Sequence, residues 1–124
     1  MIIGVGLDIA QVERVERVWQ RHGTRFIERS FTRAEAAEAL ARANPGQALA
    51  MRFAAKEAFS KATGLGMRGL AWREIEVVHD KRGKPRLNLH GRARKWMDDN
   101  QATGCHLSLS DDGGIAAAVV VLEK

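Results

Sequence analysis

The chain has no tyrosine, one cysteine, two prolines and only 6% aromatic residues in 124 positions. With Cys105 alone, no disulfide can close within the chain, and a reducing compartment is the simpler setting. No Cys/His constellation supports a nucleophilic thiol, so Cys105 reads as a small buried apolar residue. No apolar run approaches the about 20 residues that a membrane span needs. The opening stretch Met1 to Leu7 is too short for a signal peptide and has no basic flank. These absences set the expectation of a cytoplasmic protein that spans no membrane. There is no zinc-ligand spacing, no internal repeat and no low-complexity segment. The length suits a single domain, 1–124, and is too short for two good ones.

What the chain does have is positive charge. Twenty Lys and Arg against fifteen Asp and Glu leave a formal net charge of +5. That balance favours an anionic partner: nucleic acid, a phosphorylated ligand, an acidic protein or a membrane surface. It does not choose among them.

The stretch with the most chemistry is Arg52-Phe53-Ala54-Ala55-Lys56-Glu57-Ala58-Phe59-Ser60-Lys61, set in an alanine-rich helix running from about Gln47 to Thr63. Glu57 and Lys61 lie one turn apart and share a face with Phe53. Gly64 is placed to cap the helix C-terminus. Upstream, residues 2–8 read as a short buried strand ending on Asp8, which is either the N-cap of the next helix or a ligand for a cation. Residues 9–29 read as helical with a break at His22-Gly23-Thr24. Val12, Val15, Trp19 and Phe26 make the apolar stripe, and Arg14, Arg17, Arg21 and Arg25 a basic one, read as a solvated face or a docking surface for an acidic partner. Thr32-Arg33-Ala34-Glu35 is a capping box for a helix to about Ala43, stopped by Asn44-Pro45-Gly46.

Gly64-Leu65-Gly66-Met67-Arg68-Gly69 matches G-x-G-x-x-G, but a dinucleotide fingerprint needs a strand before it and a helix after it. Here the order is reversed, which leaves a glycine-rich loop able to approach a ligand closely. Residues 73–80 and 85–90 read as a hairpin around a basic turn with Lys81, Arg82 and Lys84. Residues 91–102 read as a short helix, with Trp96 and Met97 in the core. Residues 105–111 alternate, with Cys105, Leu107 and Leu109 on one face and His106, Ser108 and Ser110 on the other. The apolar run 115–122 suits a strand buried on both faces. The fold class is α+β, a mostly antiparallel sheet packed against a long central helix.

Two carboxylates with an open site, Asp8 and Glu57, are what a magnesium ion on a phosphorylated substrate requires, and Lys61 is placed to neutralise a phosphoryl oxygen. A plain Glu57–Lys61 salt bridge and a half-buried structural His106 fit the same residues.

Several segments together resemble one family, the holo-acyl-carrier-protein synthases, the small single-module 4′-phosphopantetheinyl transferases. The resemblance rests on Gly6-Leu7-Asp8, followed by Ile9 and Arg14, and on the stretch from Arg52 to Lys61. Supporting matches are Phe31-Thr32 with Glu35, the Gly64 to Gly69 loop, Ile75-Glu76-Val77, Gly83-Lys84-Pro85 and His106 to Asp111. Ala34 to Ala48 matches least. The resemblance implies transfer of the phosphopantetheine arm of coenzyme A to a serine of apo acyl carrier protein, in fatty acid biosynthesis. It implies Mg²⁺ held by Asp8 and Glu57, with Glu57, Lys61 and His106 at the reaction. It implies coenzyme A contacts from Lys61, Gly64, Gly66, Lys84, Pro85, Arg86 and His106. Arg14, Arg17 and Arg21 would steer the acidic carrier protein, and the family's small members form homotrimers with sites between subunits. A small basic nucleic-acid-binding module is the alternative, against which stand the absence of an aromatic-lined strand and of zinc spacing. A non-catalytic coenzyme A-binding subunit is a third reading.

Overall fold

A computed structural model describes residues 1–124. The elements are β1 (Ile2–Gln11), α1 (Val12–His22), α2 (Thr24–Ser30), α3 (Arg33–Leu40), α4 (Pro45–Thr63), β2 (Ile75–His79), β3 (Pro85–Leu89), α5 (Gly91–Asp99), β4 (Gly104–Asp112) and β5 (Ile115–Glu123). Single 3-10 turns sit at Gly66–Arg68 and Trp72–Glu74. All strand pairs are antiparallel, but they form two sheets rather than one: β1-β5-β4 and the hairpin β2-β3.

The helix α4 is the axis of the molecule. Alanines along it leave room for neighbours on nearly every side, and Ala54, Ala55, Ala58 and Phe59 are wholly buried. One apolar cluster joins its C-terminal half to β5, β2 and α5. A second joins its N-terminal half to α1, α2 and α3 around Leu49, Phe26 and Phe31. Strand β1 crosses α4 at very short range. A Cβ built on Gly6 would run into the carbonyl oxygen of Ala58, and one on Gly4 into that of Ala62. Only glycine permits that approach.

Four expectations need correction. Asp8 does not end its strand: β1 continues to Gln11, which occupies the N-cap position of α1, so the capping role falls away. Helix α3 stops at Leu40, short of Ala43. Asn44-Pro45 opens the next helix, with the Asn44 side chain accepting from Gln47 N at 3.1 Å and Pro45 at the first helical position, where a missing N–H costs nothing. Strand β5 is not buried on both faces. Ala116, Ala118, Val120 and Leu122 are buried against the helix, while Ala117, Val119 and Val121 are only half-covered. The break at Gly23 and the Thr32–Glu35 capping box are both present as expected.

Candidate active site

Residues along β1 alternate, so Leu7 and Ile9 face outward while Gly6, Asp8 and Ala10 face α4. The glycines bring the strand close enough for Asp8 to meet the helix residues one turn apart. Lys61 Nζ donates to Asp8 Oδ1 at 3.0 Å and to the Leu7 carbonyl at 3.0 Å. Glu57 lines the same cavity as Asp8, with Ile9, Arg14, Phe26 and Phe53 among its walls and a volume of about 610 Å³. Burial, then the negative charge of Asp8, pushes the Glu57 carboxyl above its ordinary value, and Lys61 opposes them. Two carboxylates are thus held within repulsive reach of each other, with one ammonium bridging to only one of them.

That donor set fits a hard divalent cation. Both candidate donors are carboxylates, no third His, Cys, Asp or Glu joins them, and Mg²⁺ characteristically takes one or two carboxylates, keeps waters and completes its shell with phosphate oxygens. The Lys61 ammonium is the one side-chain cation paired with Asp8.

Val18, Phe26 and Phe53 also line an adjoining cavity of about 790 Å³, so the carboxylate site opens into a longer groove. Its far wall is the Phe53 and Trp72 rings, stacked 4.5 Å apart at 21°, and its rim carries Arg25, Arg29 and Arg73. On α1, Arg14 borders the carboxylate cavity and joins Arg17 and Arg21 around a smaller hollow along the exposed face. Arg17 also lies 4.0 Å from Glu13, an exposed pair of little energetic weight.

The remaining expected residues lie elsewhere within one chain. His106 is on the outward face of β4, opposite to the helix-facing side that holds Asp8, with Nε2 2.6 Å from Glu123 Oε1. Gly64 caps α4 at φ 79° and Gly66 follows at φ 64°, in open space past Lys61. Lys84 closes the hairpin turn, its N–H donating to Asp80 Oδ1 at 2.9 Å, and Pro85 begins β3. Arg86 lines a separate hollow between β3 and α5. None of these residues borders the Asp8–Glu57 cavity.

Sequence reasoning missed a cationic cluster at the other end of α4. Glu38 Oε1 lies 2.9 Å from both Arg42 and Arg52 and 3.0 Å from His79 Nδ1, beside a hollow of about 310 Å³. Burial first, then the charge of Arg52, holds the His79 ring below its ordinary value, so this contact is weak as an ion pair. Arg52 is buried with its Nε unpartnered. Its signal was an arginine inside an alanine-rich, core-facing helix. The other missed feature is the aromatic wall, to which Trp72 comes from a turn with no periodicity of its own.

Residues 4–120 match the family described as the 4′-phosphopantetheinyl transferase superfamily. The chain is 47% identical over 125 residues to a holo-(acyl-carrier-protein) synthase of Geobacter metallireducens, covering 100% of this chain and 99% of that protein. It is 44% identical to one from Vibrio cholerae, at 100% and 99% coverage. Among solved structures, the synthase of Neisseria meningitidis superposes with a TM-score of 0.93 at 39% identity, covering 100% of both chains. The Helicobacter pylori synthase in complex with coenzyme A superposes at 0.85, with 29% identity and coverage of 96% and 99%.

Proposed function

The chain belongs to the 4′-phosphopantetheinyl transferase superfamily, among its holo-(acyl-carrier-protein) synthases, and from that premise we infer what its own residues do. It is a transferase that moves the 4′-phosphopantetheine group from coenzyme A to a serine of apo acyl carrier protein, a step that serves fatty acid biosynthesis. The serine oxygen bonds to the phosphorus bearing the pantetheine arm. The P–O bond to the other phosphate breaks, and adenosine 3′,5′-bisphosphate leaves. Nothing in the fold or in the relatives favours the nucleic-acid-binding alternative.

The observation that carries our residue assignment is the pairing of Asp8 and Glu57 in one cavity with Lys61 between strand and helix. In our reading Asp8 and Glu57 hold Mg²⁺. When bound, the ion neutralises charge on the pyrophosphate and the leaving group. Lys61 moves from Asp8 to the pyrophosphate, a reach its exposed four-carbon stem allows. Glu57, or a water that it orients, takes the serine proton. Arg14, Arg17 and Arg21, with Arg25 and Arg29 on the groove rim, steer and seat the acidic carrier protein.

Assembly accounts for the distant residues. The outward face of the β1-β5-β4 sheet carries Val5, Leu7 and Ile9, each more than half exposed, beside Val119 and Val121. His106 stands on that same face, in register with Val121. Further copies of this chain seated there, as a homotrimer, cover the apolar strip and bring His106 of one copy toward a neighbour's coenzyme site. Gly64, Gly66, Lys84, Pro85 and Arg86 then border the coenzyme from two chains. No helix is long and apolar enough to cross a membrane, and we place the enzyme in the cytoplasm.

Incubation with coenzyme A, Mg²⁺ and apo carrier protein, followed by mass spectrometry, tests the reading. The carrier gains the phosphopantetheine mass, and chelation of the metal stops the gain. Binding of coenzyme A without any mass gain leaves the non-catalytic reading and overturns ours.

A further inference from the structure

Lys56 adjoins Glu57 in sequence but faces the opposite way, into the protein, and its side chain has no exposed surface. An ammonium has three donors, and all three are used. Nζ lies 2.8 Å from Glu35 Oε1, 2.9 Å from the Trp72 carbonyl and 2.6 Å from the Ile75 carbonyl. It also stands 5.4 Å from the centre of the Phe31 ring. Glu35 is equally buried. Its Oε1 accepts from Thr32 N at 3.0 Å and its Oε2 from Val77 N at 2.9 Å. One buried ion pair therefore ties α4 to the start of α3, to the turn at Trp72–Glu74 and to β2.

Stability alone is a poor reason for such a pair. Replacing a buried salt bridge with apolar residues of similar volume is often neutral or stabilising, because two charges must be desolvated to make it. An apolar side chain at position 56 can fill the same space, but it cannot bond the carbonyls of Trp72 and Ile75. Those bonds fix the backbone that carries the Trp72 ring. The ring stacks on Phe53, one turn before Glu57, and Phe53 lines both halves of the groove.

We propose that Lys56 is a positioning residue: it holds the Trp72 turn against α4 and so sets the Phe53–Trp72 wall on which the carrier protein seats beside the catalytic carboxylates. It touches neither substrate. The proposal rests on the assignment of this groove to the carrier, and it adds the residue that shapes it.

The test uses the full chain with Trp72 as its only tryptophan, by Trp19→Phe and Trp96→Phe. Lys56→Met risks leaving Glu35 as a lone buried charge, so Lys56→Met with Glu35→Leu is the decisive variant. It is expected to unfold cooperatively but at a lower temperature than its parent, because Thr32 N, Val77 N and the Trp72 and Ile75 carbonyls lose side-chain partners, so native-state signals decide the outcome. The Trp72 emission maximum and its accessibility to added iodide should change, because the ring leaves its stacked position on Phe53. The KM for the carrier should rise about tenfold, short of the ~100-fold that a misplaced reacting group can cost. The KM for coenzyme A should stay within about twofold, since uniform binding of that substrate is untouched. An unmoved Trp72 signal overturns the role given to Lys56. A moved Trp72 signal with an unmoved carrier KM overturns it too, by showing that the carrier does not use this wall.

Discussion

The Glu57 carboxyl is held above its ordinary 4.5 by burial and by the charge of Asp8, with Lys61 opposing. A carboxyl raised on folding binds protons more tightly in the folded chain than in the unfolded one. Its ionisation therefore costs stability, and the metal-free protein loses stability as pH rises from about 4.5 through the raised value. Glu57→Gln removes the ionisable group while keeping its shape. In the presence of a chelator the variant should melt at a higher temperature than the parent at neutral pH, with a shallower loss across that window. Its transfer activity should fall by a factor of about 100 or more, the scale of a lost electrostatic or acid–base group at a reacting centre. A chelated melting temperature below the parent's would show that Glu57 is a structural residue. Asp8, Glu57 and Lys61 were legible because strand alternation and one-turn helix spacing are local rules, and the motif around them is dense. His106 was legible as a residue but not as a position. The sequence puts it on a polar strand face, and only the sheet order shows that this face is turned away from Asp8.

At the scale of elements, the contact that makes the site is β1 against α4. Its spacing is set by the absence of side chains at Gly4 and Gly6, over Ala58 and Ala62. A methyl group at Gly6 meets a backbone carbonyl, which cannot rotate aside as a side chain would. Gly6→Ala should therefore cost about 3 kcal/mol, the upper end of ordinary overpacking. Because the strand must lift, Asp8 moves away from Glu57 and Mg²⁺ binding by calorimetry should weaken with it. Ala10→Gly on the same strand face makes the control, since it adds nothing to the contact. A Gly6→Ala chain with parental stability and metal affinity would mean the strand does not need this approach. The glycines were visible in the sequence, but what they face was not. Element boundaries failed where a local signal had two meanings. Asn44-Pro45 suits both a stop and a start, and the packing of α4 beside Leu49 and Phe26 decides for a start. The run 115–122 pointed to burial on both faces because hydrophobicity cannot tell a helix-covered face from one awaiting another chain.

For the whole molecule, that second face of the sheet is the unsolved surface of a single copy. Val5, Leu7 and Ile9 stand 59%, 58% and 63% exposed, in register with Val121, Val119 and Ala117 on the middle strand. Contiguous apolar surface of this kind marks an interaction site rather than a soluble rim. In the proposed assembly a closed ring of copies would cover it without leaving an edge, and the same contact would bring His106 toward a neighbour. Carboxylates placed at its centre would have to be buried unpaired in the assembly, which is costly, while in a single chain they stay in water. Val5→Asp with Val121→Asp should therefore reduce the sedimenting mass to that of one chain. The concentration dependence of the melting temperature should vanish with it, since only association makes that temperature depend on dilution. Transfer activity should fall with the loss of assembly although Asp8, Glu57 and Lys61 are untouched. Parental chains that sediment singly, or variant monomers that retain full activity, would show instead that one copy holds the complete site.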